Sequence, residues 1–434
     1  AALYGSQAAN GVIVITTKKG KPGRGRIDFS SSLTLETPML IPKLQYRYGQ
    51  TVKPFIDGQG KPQPGSLHSW GDPVNVPDHV KGFFNTGTTL INAISLSGGT
   101  EAAQSYFSYS NTTNTGILPT NKFSRHTFNF RETLQLLNDK LNVDANILFL
   151  AQESNNRLSS GLYYSPLSGL YTFPRGQDFD SYKNEFEYAD KSRELNLQNW
   201  WNIRNDKDWV GQDDQQNPYW ALHRNLRKDK RYRGLASLTL KDQLFNWLSL
   251  QARGSFDKSL DQYELMAYAG TQATLSPSNG RYILEKEFNT QFYADVFANT
   301  NWKLSRQLHM ATTLGCSITD VKAHDRAFNG ANPYANPGLS YANKFSVSNI
   351  LGTSMDAQHN IENKQLQALF ASVQIGLKDY LFLDITGRND WSSTFAFTPT
   401  MRSGYFYYSA GIAAVVSDMI KLPSFIQFAK LRTS

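Results

Sequence analysis

Several groups of residues are of types that do chemistry, and each is first tested for its spacing. Asp206-Lys207-Asp208-Trp209-Val210-Gly211 matches three positions of a calcium loop. Val210 stands where an oxygen ligand is needed and Asn217 where a bidentate Glu is needed. An EF-hand is therefore not formed, and an ion held irregularly in a long loop stays open. Asp213-Asp214 and the pair Glu185 and Glu187 supply carboxylates for glycoside hydrolysis. Nothing in their spacing fixes the carboxylate separation that reaction requires, so solvated loop acids are the better reading. Among the histidines, His68, His79, His223 and His324 show no metal-ligand spacing, and there is no His-Glu-x-x-His. Cys316 shares a strand face with Leu314 and Ile318, which makes it an apolar filler rather than a nucleophile. Gly-x-Ser-x-Gly and phosphate-loop patterns are absent. Lys18, Lys19, Lys21, Arg24 and Arg26 form a basic run without interleaved aromatics, a solvated connection rather than a nucleic-acid contact. The residues point to binding or passage, not catalysis, with no cofactor and no metal.

The elements that carry these residues are strands. The 434 residues carry a net charge of +8 spread over interspersed acids and bases, and only 18% are charged. Soluble domains average roughly 25% charged residues. The longest apolar stretch, Ala410 to Val416, is far short of the ~18 residues a membrane helix needs. A single cysteine excludes a disulfide scaffold and a multi-cysteine zinc site. From about residue 25 onward, runs alternate at period 2, most clearly Phe288 to Leu304. One face there carries Phe288, Phe292, Val296 and Trp302; the other carries Asn289, Gln291, Tyr293 and Asp295, with Phe297 the exception. Leu141, Val143, Ala145, Ile147 and Phe149 oppose Asn142, Asp144 and Asn146 in the same way.

Connections distinguish a membrane barrel from a soluble sandwich. Short polar turns are expected at 138–140, 241–243, 305–307 and 378–379, and long loops at 38–88, 155–230, 263–283, 322–362 and 390–403. Short turns on one rim and long loops on the other are the layout of a transmembrane antiparallel β-barrel. Trp247, Trp302, Tyr380 and Trp391 sit near strand ends, as interfacial girdles require. The expectation is an all-β chain of about 13 strands of ~10 to 18 residues, part of a larger barrel. An open sheet of that size would expose unpaired edges to lipid, so further strands are expected beyond Ser434. Residues 1–5 resemble the inside of a helix, and 425–432 alternate as a strand does, so both ends read as cuts.

Two stretches resemble a known family. Residues 1–20, AALYGSQAANGVIVITTKKG, resemble the end of the plug domain in SusC/RagA-type TonB-dependent transporters, with Tyr4, Gly5, Asn10 and Gly11 as marking positions. Residues 379–394, DYLFLDITGRNDWSST, resemble a barrel strand and loop start of that family, supported by Asn217-Pro218-Tyr219-Trp220 and Asn246-Trp247-Leu248-Ser249-Leu250. Residues 1–9 read as a small-residue helix broken at Asn10-Gly11, followed by a buried β run over 12–17. The resemblance implies an α+β plug remnant over 1–20, a connection over 21–26, and the first part of the barrel over 27–434.

It further implies an outer-membrane active transporter of a Gram-negative cell, a plugged barrel of about 22 strands. A SusD-like lipoprotein would cap the mouth, TonB would pull on the plug, and the cargo would be an oligosaccharide or an oligopeptide. Asn142, Asp144, Asn289, Gln291 and Asp295 would line the lumen, an assignment resting on alternation. Trp200, Trp201, Trp209, Tyr219 and Trp220 are the candidates for contact with cargo or lid, unless they pack their loop on itself. The rivals are a passive porin-like channel, which needs no plug, and an outer-membrane enzyme, which needs a catalytic constellation.

Overall fold

Thirteen strands form one antiparallel sheet in the computed structural model. It describes residues 5, 17–50, 55–56, 60, 62–63, 69–158, 161, 163–202, 215–330, 338–378, 380–423 and 425–433. The strands are β1 (Gly23–Glu36), β2 (Gly87–Gly99), β3 (Ala103–Thr115), β4 (Lys122–Leu136), β5 (Leu141–Asn155), β6 (Asn225–Phe245) and β7 (Leu248–Ala267). They continue with β8 (Arg281–Lys303), β9 (Leu308–Asn329), β10 (Asp356–Leu377), β11 (Leu381–Ser392), β12 (Tyr405–Val415) and β13 (Lys430–Thr433). Each strand pairs only with its sequence neighbours, and the sheet stays open with β1 and β13 as edges.

The period-2 pattern becomes two chemically distinct faces. In β1, Ile27, Phe29, Leu33 and Leu35 share one face, while Arg26, Asp28, Ser30, Ser32 and Thr34 share the other. Continued through the register, the apolar face collects Ile147, Phe292, Val296, Leu314 and Leu369. Its side chains stand in the open: Phe29 is 70% exposed, Ile147 58% and Val296 52%, whereas Asp295 on the opposite face is 3% exposed. Cys316 is exposed on this apolar face beside Leu314. We call the polar side the inner face, because Gly5 and residues 17–20 lie against it.

As expected, connections alternate in length as far as β12, whose link to β13 over 416–429 is long although it leaves from the rim of the tight turns. Residues 100–102, 137–140, 246–247, 304–307 and 378–380 make tight turns at one rim. Long loops 37–86, 156–224, 268–280, 330–355 and 393–404 share the other rim with the six-residue turn 116–121. At the tight rim, Trp247 stacks on Trp302 at 4.3 Å and on Phe245 at 5.6 Å, which builds an aromatic edge.

Several boundaries differ from the sequence expectation. Strands β6 to β10 run 20 to 23 residues, apart from the turns, and reach into segments whose polarity suggested loops. Ladder hydrogen bonds do not require apolar side chains, so polar strand ends continue to pair. The turn expected at 241–243 lies at Asn246-Trp247, because Gln243 Nε2 donates to the carbonyls of Phe245 (2.6 Å) and Leu248 (3.3 Å). β1 begins at Gly23, so the connection expected over 21–26 already pairs with β2. Of the terminal alternating run 425–432, only the stretch from Lys430 is strand. The expected helix over 1–9 and the β run over 12–17 lie outside the described residues, save Gly5 and Thr17.

The β2–β3 turn depends on one glycine. Gly99 has φ +143°, and a Cβ there would stand 2.1 Å from the Ala103 carbonyl oxygen. Thr100 N–H donates to that same oxygen at 2.7 Å. Gly99→Ala is expected to cost about 2–3 kcal/mol, read as a lowered denaturation midpoint. An unchanged midpoint would show that the turn relaxes freely.

Candidate functional site

The register places charges from distant parts of the chain on one level of the inner face. Thr133, Asp144, Thr239, Arg253, Asp295, Ser317, Ala368 and Asp390 are directly opposite one another in successive strands. Three of them are buried carboxylates: Asp144, Asp295 and Asp390. Each meets an arginine, as burial of a charge demands.

At the first, Arg131 forks onto Asp144, with Nε to Oδ1 at 2.8 Å and Nη2 to Oδ2 at 2.7 Å. Arg131 Nη1 also donates to the Thr17 hydroxyl (2.6 Å) and carbonyl (3.3 Å), and Lys19 Nζ stands 3.5 Å from Asp144. Gly20, the next residue, is buried where a Cβ would come within 2.8 Å of the Ser105 carbonyl oxygen. The segment leading into β1 is thus clamped to the wall through β3, β4 and β5.

At the second, Arg253 forks onto Asp295 (3.0 and 2.5 Å) and covers the Phe297 ring at 5.3 Å, while the Tyr293 hydroxyl donates to Asp295 at 2.5 Å. Phe297, the apolar exception on a polar face, is therefore a platform for the Arg253 guanidinium. At the third, Arg388 Nε donates to Asp390 at 2.6 Å, and the Tyr407 hydroxyl donates to the other carboxylate oxygen at 2.8 Å. Gly5 packs on this pair with φ +89°, and a Cβ there would lie 3.1 Å from Arg388 Nη2. A cavity of about 530 Å³ opens between the second and third pairs, lined by Gly5, Tyr293, Asp295, Phe370 and Arg388.

The five positions singled out by alternation, Asn142, Asp144, Asn289, Gln291 and Asp295, all stand on this inner face. Asp144 and Asp295 belong to the belt, Gln291 lines the same cavity, and Asn289 donates to Glu287 at 2.6 Å. Alternation did not single out Arg131, Arg253, Arg388 or Asp390. Their parity matches the inner face; Arg388 and Asp390 are two residues apart on β11, whereas Arg131 and Arg253 meet Asp144 and Asp295 only through the register. Tyr4, Asn10, Gly11, Trp209, His68, the 206–211 loop and Asp213-Asp214 lie outside the described residues. Glu187 is held by Arg224 (2.8 and 2.9 Å), and Glu185 is an exposed residue whose backbone N–H closes a helix, so the two do not form a catalytic pair. No cluster with metal-ligand geometry occurs among the described residues.

The long loops fold into a cap with its own core. Three short helices, α1 (Pro166–Thr172), α2 (Phe179–Asn184) and α3 (Pro218–Arg224), are capped by Ser165, Asp178 and Asn217. Asn217 is fully buried: its side chain accepts from Tyr219 N–H and donates to the Tyr182 and Asn199 carbonyls, each at 2.9 Å. Val80, Phe83, Leu118, Leu170, Phe173, Phe179, Trp200, Tyr219 and Leu222 form the core, joining three loops. Of the two readings for the loop aromatics, burial favours packing of the loop on itself: Trp200 is 2% exposed, Tyr219 8% and Trp220 0%. Trp220 Nε1 donates to Thr271 at 3.0 Å, and these rings turn inward because the loop is long enough to bury them. Trp201 is half-buried against the same core.

No family model matches the chain. Over 159 residues it is 28% identical to the TonB-dependent receptor SusC of Bacteroides thetaiotaomicron, covering 34% of this chain and 14% of that one. It is 31% identical over 137 residues to the TonB-dependent receptor P39 of Formosa agariphila, covering 30% and 13%. The fold matches the RagAB peptide importer in its open-open state with a TM-score of 0.67 at 18% identity, over 99% of this chain and 48% of that chain. The closed-closed state gives 0.67 at 16% identity over 99% and 49%. The chain is similar in sequence to TonB-dependent receptors and in fold to the RagAB importer. It spans about half the length of the solved SusC/RagA-type chains it matches.

Two outcomes follow from this geometry. Asp144→Asn leaves Arg131 and Lys19 without their carboxylate. We expect a loss of about 3 kcal/mol in denaturation of the natural gene product and faster thiol labelling at Thr17→Cys. Unchanged labelling would mean that the clamp does not hold the segment. In the cap, His79 Nε2 donates to the Leu170 carbonyl at 2.8 Å among Phe173, Phe179 and Tyr46. Burial depresses its pKa below 6.5; Arg175 pushes the same way, while the Leu170 bond and Asp78 oppose. Burial depresses His223 likewise, with Arg224 assisting and Glu187 opposing. The folded cap then binds fewer protons than the opened one, so its stability falls as pH drops through the ordinary histidine range. Proteolysis within 156–224 should accelerate between pH 7.5 and 5.5, and His79→Gln should flatten the slope; an equal slope would exclude His79 as a source.

Proposed function

We propose that this chain forms part of an outer-membrane active importer, with residues 1–20 as the tail of a plug, 21–26 as its connection and 27–434 as barrel wall with outer loops. The carrying observation is the inner-face belt occupied by the chain's own N-terminal segment, through Gly5 at Arg388 and Thr17 and Lys19 at Arg131 and Asp144. An open pore has no use for such a seat; a gated importer needs one. The exposed apolar outer face supports a place in lipid, where the ladder satisfies the backbone polar groups. The work is binding and translocation rather than chemistry. Asn142, Asp144, Asn289, Gln291 and Asp295 line the passage once the plug moves.

The partners follow from the same reading: TonB coupled to the inner-membrane proton gradient, and a SusD-like lipoprotein over the long-loop rim. The cargo is an oligosaccharide or an oligopeptide, and the relative solved as a peptide importer favours the second. In cells making the natural gene product, uptake of a labelled oligopeptide mixture should fall to background when a protonophore collapses the gradient. Uptake that survives would replace the importer with a passive channel.

A further inference from the structure

We propose that the cavity between the first and second long loops is a capture subsite for a short peptide, reading both signs of charge at once. This rests on the import reading and names the cargo class. The cavity, about 420 Å³, lies between residues 76–82 and 173–183, with Tyr219 at its back. That volume is in the range of small-ligand sites. Five charged side chains line it: Asp78, Arg175, Asp178, Asp180 and Lys183.

Two of these are already engaged by the protein. Asp78 accepts from the Tyr46 hydroxyl at 2.7 Å and Val80 N–H at 3.1 Å, and Asp178 caps α2 through Asp180 N–H at 3.0 Å. Among the described residues the other three have no ionic partner. Arg175 donates to the backbone carbonyls of Gln45 (3.1 Å), Phe173 and Tyr171 (3.4 Å) and lies over the Tyr46 ring at 5.3 Å. Among the described residues no carboxylate bridges it, and those bonds use three of the five N–H groups a guanidinium carries. A half-buried guanidinium in this state gains from an incoming carboxylate. Asp180 and Lys183, one turn apart on α2, are exposed and make no side-chain hydrogen bond or ion pair among the described residues.

The combination selects among cargo classes. A glycan platform needs an open aromatic face, yet Phe173 and Phe179 are packed edge to face at 5.0 Å and Tyr219 is buried. A purely anionic ligand would meet Asp180 and Asp178; a purely cationic one would meet Arg175 and Lys183. A peptide with free ends satisfies both signs: its carboxylate goes to Arg175 or Lys183 and its ammonium to Asp180.

The test is calorimetric binding to the detergent-solubilised natural gene product. The probes are tetra-alanine with free ends, the same peptide acetylated and amidated, and maltotetraose. We expect the free peptide to bind at least about 10-fold more tightly than the blocked one. Asp180→Asn and Lys183→Gln should each weaken it about 10-fold, with no change in melting temperature because neither side chain holds the fold. Equal binding of free and blocked peptide, indifference to both substitutions, preference for maltotetraose, or no binding of any probe would overturn the subsite. Uptake separates the two readings. Peptide that binds here but is never imported defeats the importer and leaves the subsite. Gradient-dependent import untouched by both substitutions, with binding also untouched, defeats the subsite alone.

Discussion

Everything in this molecule depends on the register of one antiparallel ladder. Side chains alternate strictly along a strand, so a slip of one residue would turn Asp295 to the apolar side and Val296 to the polar side. Burying an aspartate away from its arginine costs several kcal/mol, and a slip of β5 against β4 or of β8 against β7 would part Asp144 from Arg131 or Asp295 from Arg253. The charges therefore specify register as well as lining a face. Across the sheet, the outer side chains ask only to be apolar, which is a weak constraint, while the inner ones ask for a particular partner.

The belt also explains why an N-terminal segment can sit where it does. Arg131 uses one edge of its guanidinium on Asp144 and has N–H groups left for Thr17. A lysine in its place would supply charge without the planar fork that serves both. At the other end, Arg388 is anchored by Asp390, which Tyr407 also holds, so the surface offered to Gly5 is fixed in advance. A seat built this way holds a backbone by shape and direction, and can release it without leaving a new unpaired charge in the wall.

The loops obey a different constraint. Loops this long carry enough apolar side chains to need a core of their own, and Val80, Phe83, Leu118, Phe173, Trp200 and Leu222 provide it across three connections. The cap is thereby a prefolded body, and its surface, not its aromatic content, decides what it can touch. Trp200, Tyr219 and Trp220 show the point: rings that composition offers to a ligand are consumed by packing.

By itself the sequence determined the faces and their order. Alternation in 288–304 and 141–149 marked which residues share a side, and alternating short and long connections marked the two rims. Those are local properties, set by the two-residue period of a strand and the polarity of turns. Strand ends were less legible, because a polar residue pairs in a ladder as well as an apolar one, and β6 to β10 run on through polar stretches. The pairing of Arg131 with Asp144, Arg253 with Asp295, and Gly5 with Arg388 was decided only in the tertiary structure. Those partners lie on different strands or on distant segments of the chain. Which residues meet there depends on the summed lengths of every intervening strand and turn, a quantity no local pattern contains.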